Sequence, residues 1–97
     1  MWARVTTYQF PVEDVERAIE HFDAAVTAFA GQPGLERADF YVNRRTGAGI
    51  ALTLWRSHDD MKASEDEADR LRGEIAVEVA GWIQSVEEYE LVRSERP

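Results

Sequence analysis

The chain contains no cysteine. A disulfide framework, a thiolate metal centre and a cysteine nucleophile are therefore excluded. Histidine is almost as scarce: His21 and His58 are the only two, and no other side-chain type has an ordinary pKa between those of the carboxylates and cysteine. The acidic clusters have no imidazole or thiolate neighbours at helical spacing, so we interpret them as solvated surfaces and expect no metal site.

A surplus of basic charge is also absent. The 19 acidic and 11 basic residues give a formal net charge of −8, spread along the chain. Nucleic acids and anionic membranes attract basic proteins, so we expect neither as a partner. No run approaches the roughly 18 apolar residues of a membrane span, and the first ten residues do not resemble a signal peptide. We expect a cytoplasmic protein with one domain over residues 1–93 and a loose tail at 94–97.

The spacing of apolar residues divides the chain into six elements. Alternating and β-branched segments predict strands at 2–9, 35–44, 49–56 and 83–92. Apolar residues three and four apart predict helices at about 12–29 and 58–80, ended by Gly31 and Gly81. Ser57 is a good N-cap for the second helix, with Asp60 three residues later as in a capping box. The glycines of the RTGAG segment indicate a β-hairpin between the second and third strands.

The element order β-α-β-β-α-β predicts the fold class. With right-handed crossovers it gives an α+β, ferredoxin-like plait: a four-stranded antiparallel sheet with both helices on one face. The RTGAG turn does not precede a helix, so we do not interpret it as a phosphate-binding loop.

The third predicted strand has no polar face. One side carries Ile50, Leu52 and Leu54, and the other carries Gly49, Ala51, Thr53 and Trp55. We expect the small residues to lie beneath the helices, where they admit bulky side chains, although the reverse assignment also leaves one apolar face uncovered. Three aliphatic side chains in a row are unusual on the surface of a monomer. We therefore predict a homodimer through the open face of the sheet, at Ile50, Leu52 and Leu54.

Other residues are candidates for the same open surface. Trp2 and Tyr8 could join it from the first strand, Arg56 shares the side of Leu54, and Arg4 is a further candidate. A partly buried arginine there would need an acidic partner, which the last strand could supply. The facing of Tyr41 and Asn43 on the second strand is left open.

Several segments together resemble a known family. The first strand ARVTTY, the hairpin RRTGAGIALTLWRS and the closing strand VEEYELV are similar to the dimeric α+β-barrel superfamily. Within it they are closest to antibiotic-biosynthesis-monooxygenase-like domains, over about residues 1–92. The segment that carries the resemblance best is Trp55 at the end of the third strand, followed by Ser57 and the acidic start of the second helix.

The resemblance implies a homodimer with a pocket, in each protomer, between the sheet and its own helices. It also implies oxidation of an aromatic compound by oxygen with no metal, flavin or other cofactor. Haem-degrading relatives imply an Asn on the first strand and a His on the second helix. In this chain Thr6 or Thr7 stands at the first-strand position in place of Asn, and the part of the second helix around Glu65 carries acidic residues and no histidine. Without an imidazole there to bind iron, we exclude haem degradation.

Six residues are predicted to contact a substrate. Trp55 is the family position that transfers most directly, although its indole is equally suited to plugging the core. A pocket on the helix side would take further residues from the strands and the first helix, with a histidine at its edge: Val5, Thr7, Thr53, Phe22 and His21. No catalytic residue is assigned.

Three functions are compatible with this sequence. The first is a cofactor-independent monooxygenase acting on a small aromatic or quinol-type compound. The second is a ligand-binding or accessory, stress-associated dimer that uses the same pocket without turnover. The third is a structural dimer whose cavity is filled by Trp55 and the phenylalanines. The resemblance favours the first, and the site residues that do not transfer weaken it.

Overall fold

The computed structural model describes residues 1–96. Its elements in chain order are strand β1 (Trp2–Gln9), a 3₁₀ turn (Val12–Asp14), helix α1 (Val15–Phe29), strands β2 (Leu35–Asn43) and β3 (Ala48–Trp55), helices α2 (His58–Ala63) and α3 (Glu65–Glu78), and strand β4 (Trp82–Glu90). Residues 91–96 have no regular secondary structure, and Pro97, the end of the predicted tail, lies outside the described residues.

The four strands form one antiparallel sheet in the order β2-β3-β1-β4. This is the predicted ferredoxin-like topology, and the fold class is confirmed. The helices cover one face, where alternate β1 and β3 residues such as Tyr8, Ala51 and Trp55 are buried. The small side of β3 therefore lies beneath the helices as expected. No helix within residues 1–96 is long and apolar enough to cross a bilayer.

The β2–β3 hairpin depends on Gly47. Its φ is +80°, and a Cβ at this position would lie 2.1 Å from the carbonyl oxygen of Phe10. Asn43 closes the same turn, since its Oδ1 accepts hydrogen bonds from the backbone N–H groups of Arg45 and Thr46 at 3.0 and 3.2 Å. Asn43 therefore serves in the turn, where its side-chain oxygen accepts hydrogen bonds that would otherwise need a backbone carbonyl.

The predicted second helix is interrupted. Ser57 caps it as expected, with Oγ accepting from the Asp60 N–H at 3.1 Å, but α2 ends at Ala63 and α3 begins at Glu65. Ser64 at the break is buried, and its Oγ donates to the Met61 carbonyl at 2.7 Å. Hydroxyl groups that bond to a preceding carbonyl compete with the helix backbone. The apolar stripe continues past this residue and therefore does not reveal the break.

Two residues after the end of helix α3 lies an alanine in a left-handed conformation. Ala80 has φ of +52°, whereas the predicted stop residue, Gly81, packs against the ring of Phe10. A Cβ on Gly81 would lie 2.3 Å from Phe10 Cδ1. The two neighbours therefore have different requirements: residue 80 needs a positive φ, and residue 81 needs the absence of a side chain.

Replacing Ala80 by Gly is expected to stabilise the protein by about 0.5–1 kcal/mol. The left-handed conformation costs an alanine roughly 1–2 kcal/mol, part of which is offset by the greater freedom of glycine in the unfolded chain. The matched change Gly81→Ala is expected to destabilise by about 1–3 kcal/mol through the clash with Phe10. Equilibrium denaturation in urea measures both, and a loss of stability in Ala80→Gly would contradict the assignment.

Candidate functional site

Strand β1 presents Arg4, Thr6 and Tyr8 to the helices. All three are buried, and they pair across the sheet with Thr53, Ala51 and Gly49 of β3. The prediction that Val5 and Thr7 face the pocket is wrong, because their partners Leu52 and Ile50 lie on the opposite face. Thr7 instead shares a hydrogen bond of 2.6 Å with the hydroxyl of Ser85 on β4.

A cavity of about 60 Å³ lies between the sheet and helices α1 and α3. Two predicted residues, Phe22 and Thr53, line it. The rest of the lining is largely apolar, with Phe29, Leu71 and several alanines, and its other polar members come from β1 and α3: Arg4, Thr6, Tyr8 and Arg72. The volume accommodates a few water molecules but is smaller than the roughly 150 Å³ that holds a benzene ring.

Trp55 and His21 lie outside the lining of this cavity. Trp55 is fully buried, packs edge-on against Phe29 with ring centroids 5.6 Å apart, and donates its indole N–H to Thr53 Oγ1 at 2.9 Å. Trp55 therefore belongs to the core, which was the alternative to a role in ligand binding. His21 is half-exposed and lies 3.6 Å from a carboxylate oxygen of Glu78.

Arg4 is the most unusual side chain of the site. It is 4% exposed and lies beneath the helices, so this candidate for the open face does not belong to it. Its guanidinium donates to Ser64 Oγ at 3.1 Å and to the Met61 carbonyl at 2.7 Å, and its Cζ lies 5.7 Å from the centre of the Trp55 ring. Burial, and the charge of nearby Arg72, lower the pKa of Arg4. The acceptors that hold this cation are neutral.

Tyr8 is the titratable phenol of the cavity. Its ring stacks on Phe10 with centroids 5.3 Å apart. Burial raises the pKa of Tyr8 to about 12, and the positive charge of Arg72 opposes this increase. The phenol therefore remains protonated at neutral pH and can donate a hydrogen bond into the cavity, but it cannot act as a base there.

Sequence reasoning missed four polar lining residues: Arg4, Thr6, Tyr8 and Arg72. The first three alternate along β1, so the facing of any one of them determines the others. The antiparallel pairing of β1 with β3 carries the signal for their facing, because β1 residues opposite the small residues of β3 lie on the same helix side. Arg72 lies one residue after Leu71 in the predicted helical stripe, and its orientation had no sequence signal.

The open face of the sheet forms a second concave surface, a groove of about 390 Å³. Its floor is lined by Leu52, Leu54 and Val5. Tyr41 of β2 also lines it, so the side chain of Tyr41 lies on the open face. Ile50, on the same side, is 42% exposed. Trp2 and Tyr8 were predicted to join this surface, but Tyr8 lies on the helix side and Trp2 packs against the His58 ring with centroids 4.7 Å apart.

Comparison with known proteins gives two sequence relatives. No family model matches the chain. It is 31% identical over 97 residues to the uncharacterised Mycobacterium tuberculosis proteins Rv2557, of strain H37Rv, and MT2634, of strain CDC 1551. The match covers 99% of this chain and 43% of each relative. The chain therefore spans less than half the length of these proteins.

Solved structures resemble the chain over nearly its whole length. The ActVA-Orf6 monooxygenase of Streptomyces coelicolor, in complex with nanaomycin D, has a TM-score of 0.79 at 14% identity and covers 99% of this chain and 91% of its own. SnoaB, a cofactor-independent oxygenase from Streptomyces nogalater, has a TM-score of 0.70 at 16% identity, with 96% and 94% covered. The chain has the fold of these oxygenases. At such identities the similarity concerns the fold alone.

Tyr8 is expected to make the protein less stable in alkali. Its pKa is about 12 in the folded chain and about 10 in the unfolded chain, so between these values only the unfolded state loses the proton. The stabilisation is complete below about pH 10 and is lost as the pH rises towards 12, by up to roughly 2–3 kcal/mol.

Denaturation between about pH 9 and pH 12 measures this effect. Tyr8→Phe should flatten the decline in unfolding free energy. Tyr41→Phe, which changes a tyrosine on the opposite face of the sheet from Tyr8, should leave the decline in place. An identical pH dependence in the Tyr8→Phe protein would show that other groups cause it.

Proposed function

We propose that the chain is an antibiotic-biosynthesis-monooxygenase-like protein that oxidises a small aromatic or quinol-type compound with oxygen and without a cofactor. The observation that carries this proposal is the cavity between sheet and helices. Its aromatic and aliphatic lining suits a ring, and its polar groups are hydroxyls and guanidinium groups: Arg4, Thr6, Tyr8, Thr53 and Arg72. The fold shared with the Streptomyces oxygenases supports the same reaction class.

Such a reaction makes two demands on the protein. The substrate supplies the electrons, so that one oxygen atom enters the ring and the other leaves as water. The negative charge that develops on the substrate oxygen must then be stabilised by positioned donors in a site that excludes water. Arg4, Thr6 and Tyr8 are buried beneath the helices and are suited to that task.

A second candidate is a binding protein that uses the same cavity without turnover. The absence of a base in the cavity favours it: neither arginine accepts a proton, and the pKa of Tyr8 is about 12. The small cavity volume of about 60 Å³ favours it as well, since a substrate enters only if side chains such as Leu71 and Phe22 move aside.

We also propose that two copies pair through the open face of the sheet. Ile50, Leu52 and Leu54 would become covered, and burying each such side chain contributes roughly 1.5–3 kcal/mol. Arg37 and Asp39 on β2 line the same groove and hold each other at 2.9 Å. In a two-fold dimer, where the same patch meets itself, these opposite charges can pair reciprocally with those of the second copy.

Oxygen consumption with an anthrone or a quinol tests the catalytic proposal. The protein should raise the rate above that of spontaneous oxidation, and Thr6→Val should lower the rate about tenfold by removing one donor to the developing oxyanion. Thr27→Val, on the exposed surface of α1, is the matched control and should retain full activity. Ligand-induced quenching of tryptophan fluorescence without oxygen uptake would favour the binding protein.

Light scattering tests the dimer. The wild type should have twice the mass of one chain at micromolar concentration, and Leu52→Asp should have the mass of one chain because it adds a charge to the covered face. Val77→Asp changes an apolar residue of α3 that is 84% exposed and should remain dimeric. Circular dichroism shows whether both variants are folded. A wild-type protein with the mass of one chain would overturn the proposal.

A further inference from the structure

We infer that the cavity selects its ligand as an aryl oxyanion, the ionised form of an acidic phenol or enol, with the negative charge held by Arg4 and Arg72. This inference rests on the proposed function of the cavity and specifies the chemical class of its ligand. It follows from the charges of the lining, from the bonding of the two arginines and from the absence of a base.

The charge of the lining is opposite to that of the whole protein. The chain has 19 acidic and 11 basic residues, yet the residues that line the cavity include two arginines and no aspartate or glutamate. The surrounding walls are mostly apolar. Among the described lining residues the two guanidinium groups are the charged ones, and charges interact more strongly beside apolar walls than in bulk water.

Arg4 has no carboxylate partner within residues 1–96. None of the ion pairs found there includes it. Its two hydrogen bonds, to Ser64 Oγ and the Met61 carbonyl, use two of the five N–H donors of a guanidinium group. A buried cation held by neutral acceptors retains the capacity to bind an anion.

Arg72 brings a second positive charge to the same space. Its side chain is 11% exposed, and it pairs with Asp69, whose side chain is 68% exposed. The charge of Arg72 lowers the pKa of Arg4, whereas Glu65 and Asp69 of α3 and Glu88 of β4 raise it. These acids do not line the cavity. An anion between the arginines would relieve their mutual repulsion, which the outer acids only reduce.

No lining residue can take a proton from the ligand at neutral pH. The pKa of Tyr8 is about 12, a guanidinium group has donors but no acceptor, and both histidines lie outside the lining. A ligand bound as an anion must therefore release its proton to solvent. The site stabilises the ionised form only, so it should favour ligands that are already acidic.

The probe for this selectivity is 4-nitrophenol, whose ionised form absorbs near the visible range and whose neutral form does not. The full chain is added at the pH where the free probe is half ionised. A charge-assisted hydrogen bond is about twice as strong as a neutral one. The bound phenolate should therefore be favoured over the bound phenol by about tenfold, and its absorbance should increase.

Two variants separate the cavity from the surface. Arg72→Leu should abolish the increase in phenolate absorbance, and Arg4→Met should do the same if circular dichroism shows that it folds. Arg70→Leu is the matched control, because Arg70 lies on the same helix and pairs with exposed Glu67 and Glu74 outside the cavity. It should behave as the wild type, and an unchanged response of Arg72→Leu would overturn the inference.

Nitrobenzene, a neutral ring of similar size, separates this inference from the proposed function. If nitrobenzene binds as tightly as 4-nitrophenol and the probe absorbance follows the bulk pH, the cavity takes neutral rings. Anion selection is then wrong, and the aromatic pocket stands. If neither compound binds at millimolar concentration, both the inference and the proposed function fail.

Discussion

The buried guanidinium group of Arg4 is held at the break between α2 and α3. A buried cation needs acceptors, but the carbonyls inside a continuous helix are occupied by its own N–H groups. The break at Ser64 lets the Met61 carbonyl accept from Arg4 at 2.7 Å and from Ser64 Oγ at 2.7 Å. The same carbonyl also accepts from the Ser64 backbone N–H at 3.2 Å, so Arg4 adds a further donor to it. This contact joins β1 to the helical layer at the edge of the cavity.

The same contact explains which predictions from sequence succeed. Strand β1, the hairpin and the Ser57 cap follow from local residues, and the structure agrees with them within a residue or two. The facing of β1 is not local. Charged residues are seldom buried without a partner, so local reasoning turns Arg4 outwards. In the structure Arg4 faces inwards, where the break between α2 and α3 supplies its hydrogen-bond acceptors. Because side chains alternate along a strand, Val5 and Thr7 therefore lie on the open face.

Of the six residues predicted to contact a substrate, two line the cavity. Thr53 shares the face of β3 that carries small residues, and Phe22 lies on the apolar stripe of α1 that packs over that face. Trp55 lies on the correct face but fills its space completely. Residue type gives the volume of a side chain and its preferred neighbours. It does not reveal where packing leaves space unfilled, since that depends on the fit of elements distant in sequence.

The net charge of −8 and an arginine-lined cavity are compatible because they act on ligands of different size. A polyanion such as nucleic acid meets the outer surface, where the carboxylates outnumber the basic groups and repel it. A small anion can enter a cavity whose walls are mostly apolar. Inside, nearby guanidinium groups interact with it more strongly than exposed acids, which water and salt screen. Composition thus argues against the first class of partner and is silent about the second, which is determined by the side chains that face the cavity.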